Sequence, residues 1–436
     1  GGPAVRTSRA QGLVWTAVLL GVAALVAIVA NAPLKAALMV IGLAAAAALV
    51  WRYGAAEGLW LLFVLSLPYR EPLSVDIRGT ISLFPSDLLL FALVAALAAR
   101  GRLAGLWKRS VTLRFGLAIL ALSVVGLPGA TRFFWGVASI YRIVGQLAVF
   151  AVAVTVVEDG RAALRTLVAL VAGAAPAVLY GLIQAAQPFE AADPEWASHL
   201  IASGPRGVPP LRVFSTFNHT LRFSHFLSVV FGVAIGLVFE KLSRVVRAFV
   251  LVTGTAAAYC NLFTYSIAGM VGMLSAVVAT LFTGRRRAAL AFIILAVAFM
   301  ALSPTALLRK ADRVLSGEAL TLAARAVTYR QAVDIMTDHP LTGVGWGSIR
   351  SSLEYDYRIT RAQAVAFGAE NYFLQRGIAL GIPGLLIAAA VLVLFLRHVF
   401  RSSGRGIGPD WPRGAILIGG AAFYVQAMSY PAADAV

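Results

Sequence analysis

Cysteine is almost absent from this sequence of 436 residues, and charged side chains are scarce. The single thiol, Cys260, stands in an apolar run, which excludes a disulfide framework and a thiolate metal cluster within one chain. Charged residues make up 13% of the chain, whereas soluble domains carry about 25%. With 60% hydrophobic residues and a mean hydropathy of +0.84, the composition predicts a polytopic membrane protein.

Apolar runs long enough to cross a bilayer recur along the whole chain. A transmembrane helix needs about 20 mostly apolar residues. We therefore predict an all-α transmembrane helical bundle of about 12–13 spans that forms a single domain, residues 1–436. The candidate spans are 12–30, 34–51, 55–69, 84–99, 112–128, 141–157, 164–184, 221–239, 247–265, 268–283, 288–303, 372–396 and 414–432.

Basic residues outnumber acidic ones by 37 to 19, which gives a net charge of +18. Such a charge is compatible with nucleic acid, anionic lipid or an anionic substrate as the partner. Placing the N-terminus in the cytoplasm puts the basic short loops on the cytoplasmic side at nearly every turn. Most of this charge then orients the chain and contacts anionic membrane lipids, and no nucleic-acid partner is expected. These basic residues are Arg6, Arg9, Arg52, Arg100, Arg102, Lys108, Arg109, Arg161, Arg165, Lys241, Arg244, Arg247, Arg285, Arg286, Arg287, Arg397, Arg401, Arg405 and Arg413.

Two long segments, 185–220 and 304–371, fall on the opposite side of the membrane. Both far exceed the roughly 2–8 residues that join helices in a bundle, so we predict that they carry function. The first ends in "GPRGVPPLRVFSTFNHTLRFSHFLS", which crowds polar residues at the entry to a span. Polar side chains at that depth are costly unless paired or hydrated, and they mark a candidate site. Its members are Arg206, Arg212, Asn218 and Arg222, with His219 and His225 as ordinary interfacial or packing histidines.

The second segment contains "EALTLAARAVTYRQAVDIMTDHP", which predicts an amphipathic helix ended by Pro340. Two interpretations stand beside each other. The helix lies on the membrane with solvated charges, or it forms a cap that presents Arg325 and Arg330 to a phosphate, since the planar guanidinium binds phosphate oxygens in pairs. The predicted apolar face consists of Leu322, Ala326, Tyr329, Val333 and Met336.

The stretch "PLTGVGWGS" follows, with glycine at 343, 345 and 347. This alternation allows a sharp turn and a close approach of the backbone to a ligand. No P-loop lysine follows it and no strand precedes it, which excludes both nucleotide-binding motifs. No Asp, Glu and His cluster has a metal-binding spacing, so neither a metal nor a cofactor is predicted. Arg142 and Gln146, four residues apart in an apolar run, either line a cavity or hydrogen-bond a neighbouring helix.

Three stretches together resemble the bacterial O-antigen ligase and polysaccharide polymerase superfamily. "RVFSTFNHTLRFSHFLS" is similar to the family's arginine, Gly-Thr-Phe-like turn and helix-opening Asn. "RAVTYRQAVDIMTDHPLTGVGWGSI" is similar to its outer helix and His-Pro-Leu-x-Gly-x-Gly signature, which begins here at His339. "ENYFLQRGIALGIPGLL" is similar to its His-Asn-x-Tyr-Leu, ending in Gly-Ile-x-Gly-Leu. The resemblance covers about residues 212–386.

The sequence departs from the family pattern at two positions. Glu370 stands where the ligases carry histidine, directly before Asn371, and Ile267 in "FTYSIAG" stands where they tend to carry arginine. The arginine at 212 keeps its expected place. Polymerase-like members tolerate more variation at the histidine, so the pattern favours a polymerase slightly over a ligase.

The resemblance implies a metal-independent glycosyltransferase in the bacterial inner membrane, with its active site facing the periplasm or exterior. Its donor would be an undecaprenyl-diphosphate-linked oligosaccharide and its acceptor a glycan or lipid A-core. Arg212 would stabilise the departing diphosphate and Glu370 would accept the acceptor's proton, with inversion of the anomeric centre. The residues expected to bind substrate are Arg206, Arg222, Arg325, Arg330, Asn218, His339 and Asn371.

Three alternatives remain open at this point. A transporter or flippase of lipid-linked sugars would explain the bundle, but such proteins contain internal repeats, and none is visible in the sequence. A peptidoglycan glycosyltransferase of the rod-shape type uses similar lipid chemistry, but its usual outer loop with a catalytic Asp has no clear counterpart. A relative that binds glycolipid without catalysis would account for the changes at 267 and 370.

Overall fold

The computed structural model describes residues 44–69, 75–77, 81–83, 85–186, 212–217, 219–282, 320–349, 352, 371–401 and 412–427. Helices dominate these residues, which confirms the predicted all-α polytopic class. After a helix at 44–53, the labelled helices are α1 (Ala55–Ser66), α2 (Pro85–Ala99), α3 (Leu106–Arg109), α4 (Val111–Val125), α5 (Phe133–Val156), α6 (Gly160–Ala186), α7 (Thr220–Val238), α8 (Arg244–Leu262), α9 (Ile267–Phe282), α10 (Leu320–Asp338), α11 (Tyr372–Arg401) and α12 (Arg413–Ala427).

Ten of the predicted spans correspond to apolar helices of the structure. Five helices, α5, α6, α7, α8 and α11, are long and apolar enough to cross a membrane. Five shorter apolar helices, α1, α2, α4, α9 and α12, account for the other five. The span predicted at 34–51 is described only from residue 44, and those at 12–30 and 288–303 lie outside the described residues.

A short hairpin joins α1 to α2 and is the one strand pairing within the described residues. Strand β1 (Val75–Ile77) runs antiparallel to β2 (Ile81–Leu83), with Val75 opposite Leu83. The all-α prediction did not include it. Each strand is only three residues long, and an alternation of polar and apolar residues over so short a stretch does not predict a strand beside the long apolar runs that flank it.

Helix α7 is the centre of the second half of the bundle and packs against α8, α9 and α12. Glycines permit its close approach to α12, because a Cβ at Gly236 would overlap Ala415 and one at Gly232 would lie 2.9 Å from the carbonyl oxygen of Ile418. Small residues at such interfaces let backbones approach, and the gain in van der Waals contact holds membrane helices together. The polar entry segment that precedes α7 is thereby tied to the most buried of the five long apolar helices in the described part of the chain.

Contacts between loops sort the helix ends into two groups. Thr216, before α7, donates to the carbonyl oxygen of Pro68 just after α1 (2.5 Å), and the amide of Thr131, between α4 and α5, donates to Ser348 Oγ (2.9 Å). At the other ends of the helices, Arg102 pairs with Glu158, and Arg165 pairs with Glu57. The first group joins only segments predicted on the extracytoplasmic side and the second only segments predicted on the cytoplasmic side.

Helix α10 was predicted correctly as a helix, but its apolar face was placed wrongly. The buried positions are Thr328, Ala332, Ile335 and Met336, whereas Val333 is 49% exposed. The helix packs on α11, and Ala332 and Ile335 join a core cluster with residues of α4, α5 and α11. Tertiary packing therefore selects a face rotated from the one that a simple count of apolar residues indicates.

Helix α11 is broken at Gly381, whose φ of 69° and ψ of −166° are not helical. The span predicted at 372–396 is present in this helix, but the break within it was not predicted. The chain bends so sharply that a Cβ on Gly384 would come within 2.7 Å of the carbonyl oxygen of Arg376. The part of α11 before the break, 372–380, is therefore a separate short helical segment. Unpaired backbone in a membrane protein is tolerated only where protein or a hydrated cavity surrounds it.

Candidate active site

Arg212 lies at the end of α8, against the turn that joins α8 to α9. Its Nε donates to the carbonyl oxygen of Thr264 (3.0 Å), and the amide of Val213 donates to the carbonyl oxygen of Phe263 (3.0 Å). The side chain is half-buried, and burial lowers the pKa of the guanidinium from its usual value. Arginine nevertheless stays protonated at any physiological pH. The structure thus fixes a cation at the predicted extracytoplasmic end of the bundle.

The turn after Arg212 is held by a side chain and a backbone carbonyl of α6. Ser215 has a φ of 53°, in the left-handed region, which is uncommon for a residue other than glycine. Its amide donates to Gln184 Oε1 (2.8 Å) and its hydroxyl to the carbonyl oxygen of Ala177 (2.5 Å), both on α6. These bonds compensate the backbone strain, which is of order 1–3 kcal/mol for such a conformation. Arg212 consequently stands on a rigid turn.

A buried polar network lies beneath this turn and fixes the carbonyl that receives Arg212. Asn261 Oδ1 accepts from Ser224 Oγ (2.8 Å) and from Thr264 Oγ1 (3.0 Å), and its Nδ2 donates to Ser228 Oγ (3.3 Å). All four side chains are fully buried. Buried polar groups are costly unless bonded, so a satisfied network of this kind specifies one arrangement of α7, α8 and α9. It sets the position of Thr264 and hence of Arg212.

Ile267, which replaces the family's arginine, is the first residue of α9 and is half-buried. The preceding "FTYS" provides Thr264 and Ser266 to the buried network, and Ser266 Oγ accepts from the amide of Gly269 (3.1 Å). Gly269 is required there, because a Cβ would overlap Ser224 Oγ. The polar residues of "FTYSIAG" are accordingly structural in this chain.

The glycine-rich turn after α10 docks on the break in α11. The amides of Val344 and Gly345 donate to the carbonyl oxygens of Ile378 (2.9 Å) and Ala379 (3.0 Å), and the amide of Ile382 donates to that of Pro340 (2.8 Å). These bonds satisfy the backbone groups that the break exposes. The motifs "HPLTGVGWG" and "LGIPG" therefore form one structural unit.

The glycines of this turn approach the protein's own backbone, not the ligand that the sequence suggested. Gly343 has a φ of 61°, and a Cβ there would overlap the carbonyl oxygen of Ile378. A Cβ on Gly345 would lie 2.8 Å from the carbonyl oxygen of Gly126, and one on Gly347 would overlap that of Arg132. The turn is thus wedged between the broken helix and the loop from α4 to α5.

Arg376 was not identified from the sequence and is the largest of the fully buried side chains among the described residues, at 1% exposure. Its guanidinium carbon lies 4.6 Å from the ring centroid of Trp346 and 5.1 Å from that of Tyr372. The signal was available, because an arginine inside the apolar run "NYFLQRGIALGIPG" is rare and marks a functional position by default. The family likeness of the surrounding residues drew the prediction to Glu370 and Asn371 instead.

The structure brings together some of the predicted site residues and leaves others apart. Arg222 and His225 lie on the first turns of α7, where the buried His225 ring meets Phe423 of α12 edge-on (5.2 Å). Asn371 caps α11, since its Oδ1 accepts from the amides of Phe373 (2.9 Å) and Leu374 (3.1 Å). His219 likewise caps α7 through Nδ1 (3.1 Å to the amide of Leu221).

Other predicted residues are exposed or lie outside the described part of the chain. The side chains of Arg330 and His339 are exposed, as is Arg142, whereas Gln146 is half-buried. The predictions for Arg206, Asn218 and Glu370 fall on residues outside the described ranges, and for Arg325 only the backbone is described. Within the described residues, no group of three or more His, Cys, Asp or Glu side chains could hold a metal ion.

Comparison with known proteins bears on the second half of the chain. Residues 248–389 match the family described as O-antigen ligase. No curated protein matches the sequence. The matched range contains Thr264, the glycine-rich turn and Arg376, whereas Arg212 precedes it. Members of the matched family are glycosyltransferase-like enzymes that act on lipid-linked glycans. The resemblance found in the motifs is therefore confirmed over residues 248–389, and this match supports placing the chain in the O-antigen ligase and polymerase superfamily of membrane glycosyltransferases.

Proposed function

We propose that the protein transfers an oligosaccharide from undecaprenyl diphosphate to a glycan acceptor at the extracytoplasmic face of the bacterial inner membrane. The observation that carries the proposal is the orientation of Arg212. Within the described residues, the hydrogen bond of its guanidinium uses Nε, so that both terminal nitrogens remain for a phosphate. Such a planar pair matches two phosphate oxygens.

The chemistry that such a cation supports is departure of a diphosphate. Transfer breaks the bond between the anomeric carbon and the diphosphate oxygen, so negative charge develops on the leaving group. A fixed donor aimed at developing charge is typically the largest catalytic contribution. The donor is already activated, so the reaction requires no nucleotide, and the arginine side chains are proposed to take the place of a metal ion at the diphosphate. Arg206, Arg222, Arg325 and Arg330 are proposed to assist in binding the donor, with Asn218 and His339.

The acceptor hydroxyl must lose its proton as it attacks. Glu370 directly precedes Asn371, the N-cap of α11, and is the proposed general base. A carboxyl group has a reference pKa of about 4.3, and it becomes a stronger base where burial raises that value. Direct attack with one carboxylate inverts the anomeric centre, because a double displacement would need a second carboxyl group as nucleophile.

A polymerase of repeat units of O-antigen or exopolysaccharide is favoured over a ligase. The supporting observation is Glu370, which replaces the histidine of the ligases. Transfer to lipid A-core is the second candidate, supported by the family description of residues 248–389. A transporter of lipid-linked sugar would also bind the diphosphate, but such proteins contain internal repeats, and none is visible in this sequence.

The decisive experiment supplies purified protein with a defined undecaprenyl-diphosphate oligosaccharide, with and without a lipid A-core acceptor. Longer lipid-linked glycan without the acceptor is the expected product and identifies a polymerase. Glycan attached to lipid A-core identifies a ligase. Absence of both products, together with donor movement across a vesicle membrane, would replace the proposal by transport.

A further inference from the structure

Arg376 occupies an environment that is unusual for a guanidinium group. It is 1% exposed and lies in the short part of α11 before the break at Gly381. The rings of Trp346 and Tyr372 approach it at centroid distances of 4.6 and 5.1 Å. Two aromatic rings at such distances stabilise a cation through their quadrupoles, most strongly where water is excluded.

The same guanidinium joins segments that are far apart in sequence. Trp346 belongs to the glycine-rich turn, and its indole N–H donates to Ser123 Oγ on α4 (3.0 Å). Ser123 in turn donates to the carbonyl oxygen of Ile119 (2.7 Å). Tyr372 is the first residue of α11 and follows the N-cap Asn371. Arg376 therefore connects the start of α11 to the turn and, through the turn, to α4.

Apolar packing alone does not require a cation at this position. Methionine or leucine would fill the same space without the cost of removing a charge from water. The positive end of the helix dipole at the start of α11 also disfavours a cation within its first turns. The residue here is nevertheless an arginine, and a charged residue inside a membrane protein marks a functional position by default. At 1% exposure, the side chain is closed to contact with a substrate in this conformation.

We propose that Arg376 is a positioning residue of the transfer site. Held between Trp346 and Tyr372, it fixes the start of α11, where Glu370 and Asn371 stand in sequence, against the glycine-rich turn. The planar cation fixes the rotation of this short helix about its axis. The hydrogen bonds at the break alone would constrain that rotation less. This inference rests on the proposed glycosyl transfer, because Glu370 is its proposed base.

The test compares Arg376→Met and Arg376→Lys with Arg397→Met, which removes an exposed arginine at the other end of α11. Initial rates of glycan transfer are measured against the concentration of the undecaprenyl-diphosphate oligosaccharide. Arg376→Met is expected to lower kcat about 10-fold and to change the donor KM less than threefold, in line with the loss of two cation–π contacts. Arg376→Lys recovers part of kcat, and Arg397→Met leaves both parameters unchanged.

A second pair of variants separates positioning from folding. Trp346→Phe keeps a ring with a weaker quadrupole, and combined with Arg376→Met it should lower kcat no further than Arg376→Met alone. These variants decide the matter even where Arg376→Met does not fold, since Trp346→Phe and Arg376→Lys should each still lower kcat two- to fivefold in monodisperse protein. Unchanged kcat in them, or a loss expressed in the donor KM alone, overturns the inference. If the wild type is active and Arg376→Met has the same kcat, only this inference is wrong. If the wild type is inactive, the proposed function is wrong as well.

Discussion

The amide of Val344 donates to the carbonyl oxygen of Ile378 across 34 residues of sequence and a distance of 2.9 Å. This bond ties the glycine-rich turn to the last turn of a helix that breaks three residues later. Both motifs belong to the region that matches the O-antigen ligase family. Their contact explains why glycine is needed at several positions of each, because backbone lies against backbone there.

Gly343→Ala is expected to destabilise the protein strongly. The residue has a φ of 61°, and its Cβ would overlap the carbonyl oxygen of Ile378. The left-handed conformation costs an alanine roughly 1–2 kcal/mol before any clash is counted. Thermal unfolding of detergent-purified protein should therefore show a lowered midpoint. Gly129→Ala is the matched control, since nothing lies within 4 Å of its Cβ. Equal midpoints for the two variants would show that the turn is not docked as described.

Gly269→Ala is expected to disrupt the network beneath Arg212, because the new methyl group would overlap Ser224 Oγ. Ser224→Ala removes that oxygen at the cost of its bond to Asn261, a loss of about 0.5–1.5 kcal/mol, since Asn261 Oδ1 still accepts from Thr264 Oγ1. The double variant should therefore be more stable than the sum of the single effects predicts. Unfolding midpoints of the four proteins measure this coupling, and strict additivity would contradict the contact.

Arg212→Ala is expected to lower glycan transfer by about 100-fold, the loss typical for removal of a donor aimed at developing charge. Arg212→Lys should recover only a small part, since an ammonium group cannot bond Thr264 through Nε and offer a planar pair to phosphate. Product formation from the lipid-linked oligosaccharide measures both. Arg244→Ala, at an exposed position at the opposite end of α8, serves as the control and should remain fully active. Activity of Arg212→Ala equal to that control would remove Arg212 from the mechanism.

Glu370→Gln is expected to lower transfer at least about 100-fold, in the range of general-base catalysis. The amide has the same shape and cannot accept a proton at neutral pH. Glu370→His restores the residue of the ligases and should regain transfer, with any shift from polymer to lipid A-core product read on the same gel. Full activity of Glu370→Gln would exclude the carboxylate as the base.

Transfer is expected to continue in the presence of excess EDTA. The proposed chemistry assigns the charge of the leaving diphosphate to arginine side chains, which chelation does not affect. The rate of product formation with EDTA is compared with the rate in added Mg²⁺. A rate that falls to the background in EDTA and returns with Mg²⁺ would contradict the metal-independent mechanism.

The helical class and the positions of ten spans were predictable, because a bilayer allows few solutions for an apolar run of about 20 residues. The buried face of α10 was not predictable in the same way. Its apolar residues allow more than one stripe, and Val333 proves 49% exposed while Thr328 is buried. The choice depends on the partner helix, which composition does not specify.

The sequence by itself determined the membrane class and the likeness to the ligase and polymerase superfamily, and it predicts a role for Arg212. Hydrophobic length and local motifs contain that information, because each depends on neighbouring residues. Only the tertiary structure decided that the two glycine motifs meet, that Asn371 and His219 are helix caps, and that Arg376 is buried between two rings. These features depend on contacts between segments far apart in the chain, and the close packing that fixes them arises only when the helices assemble.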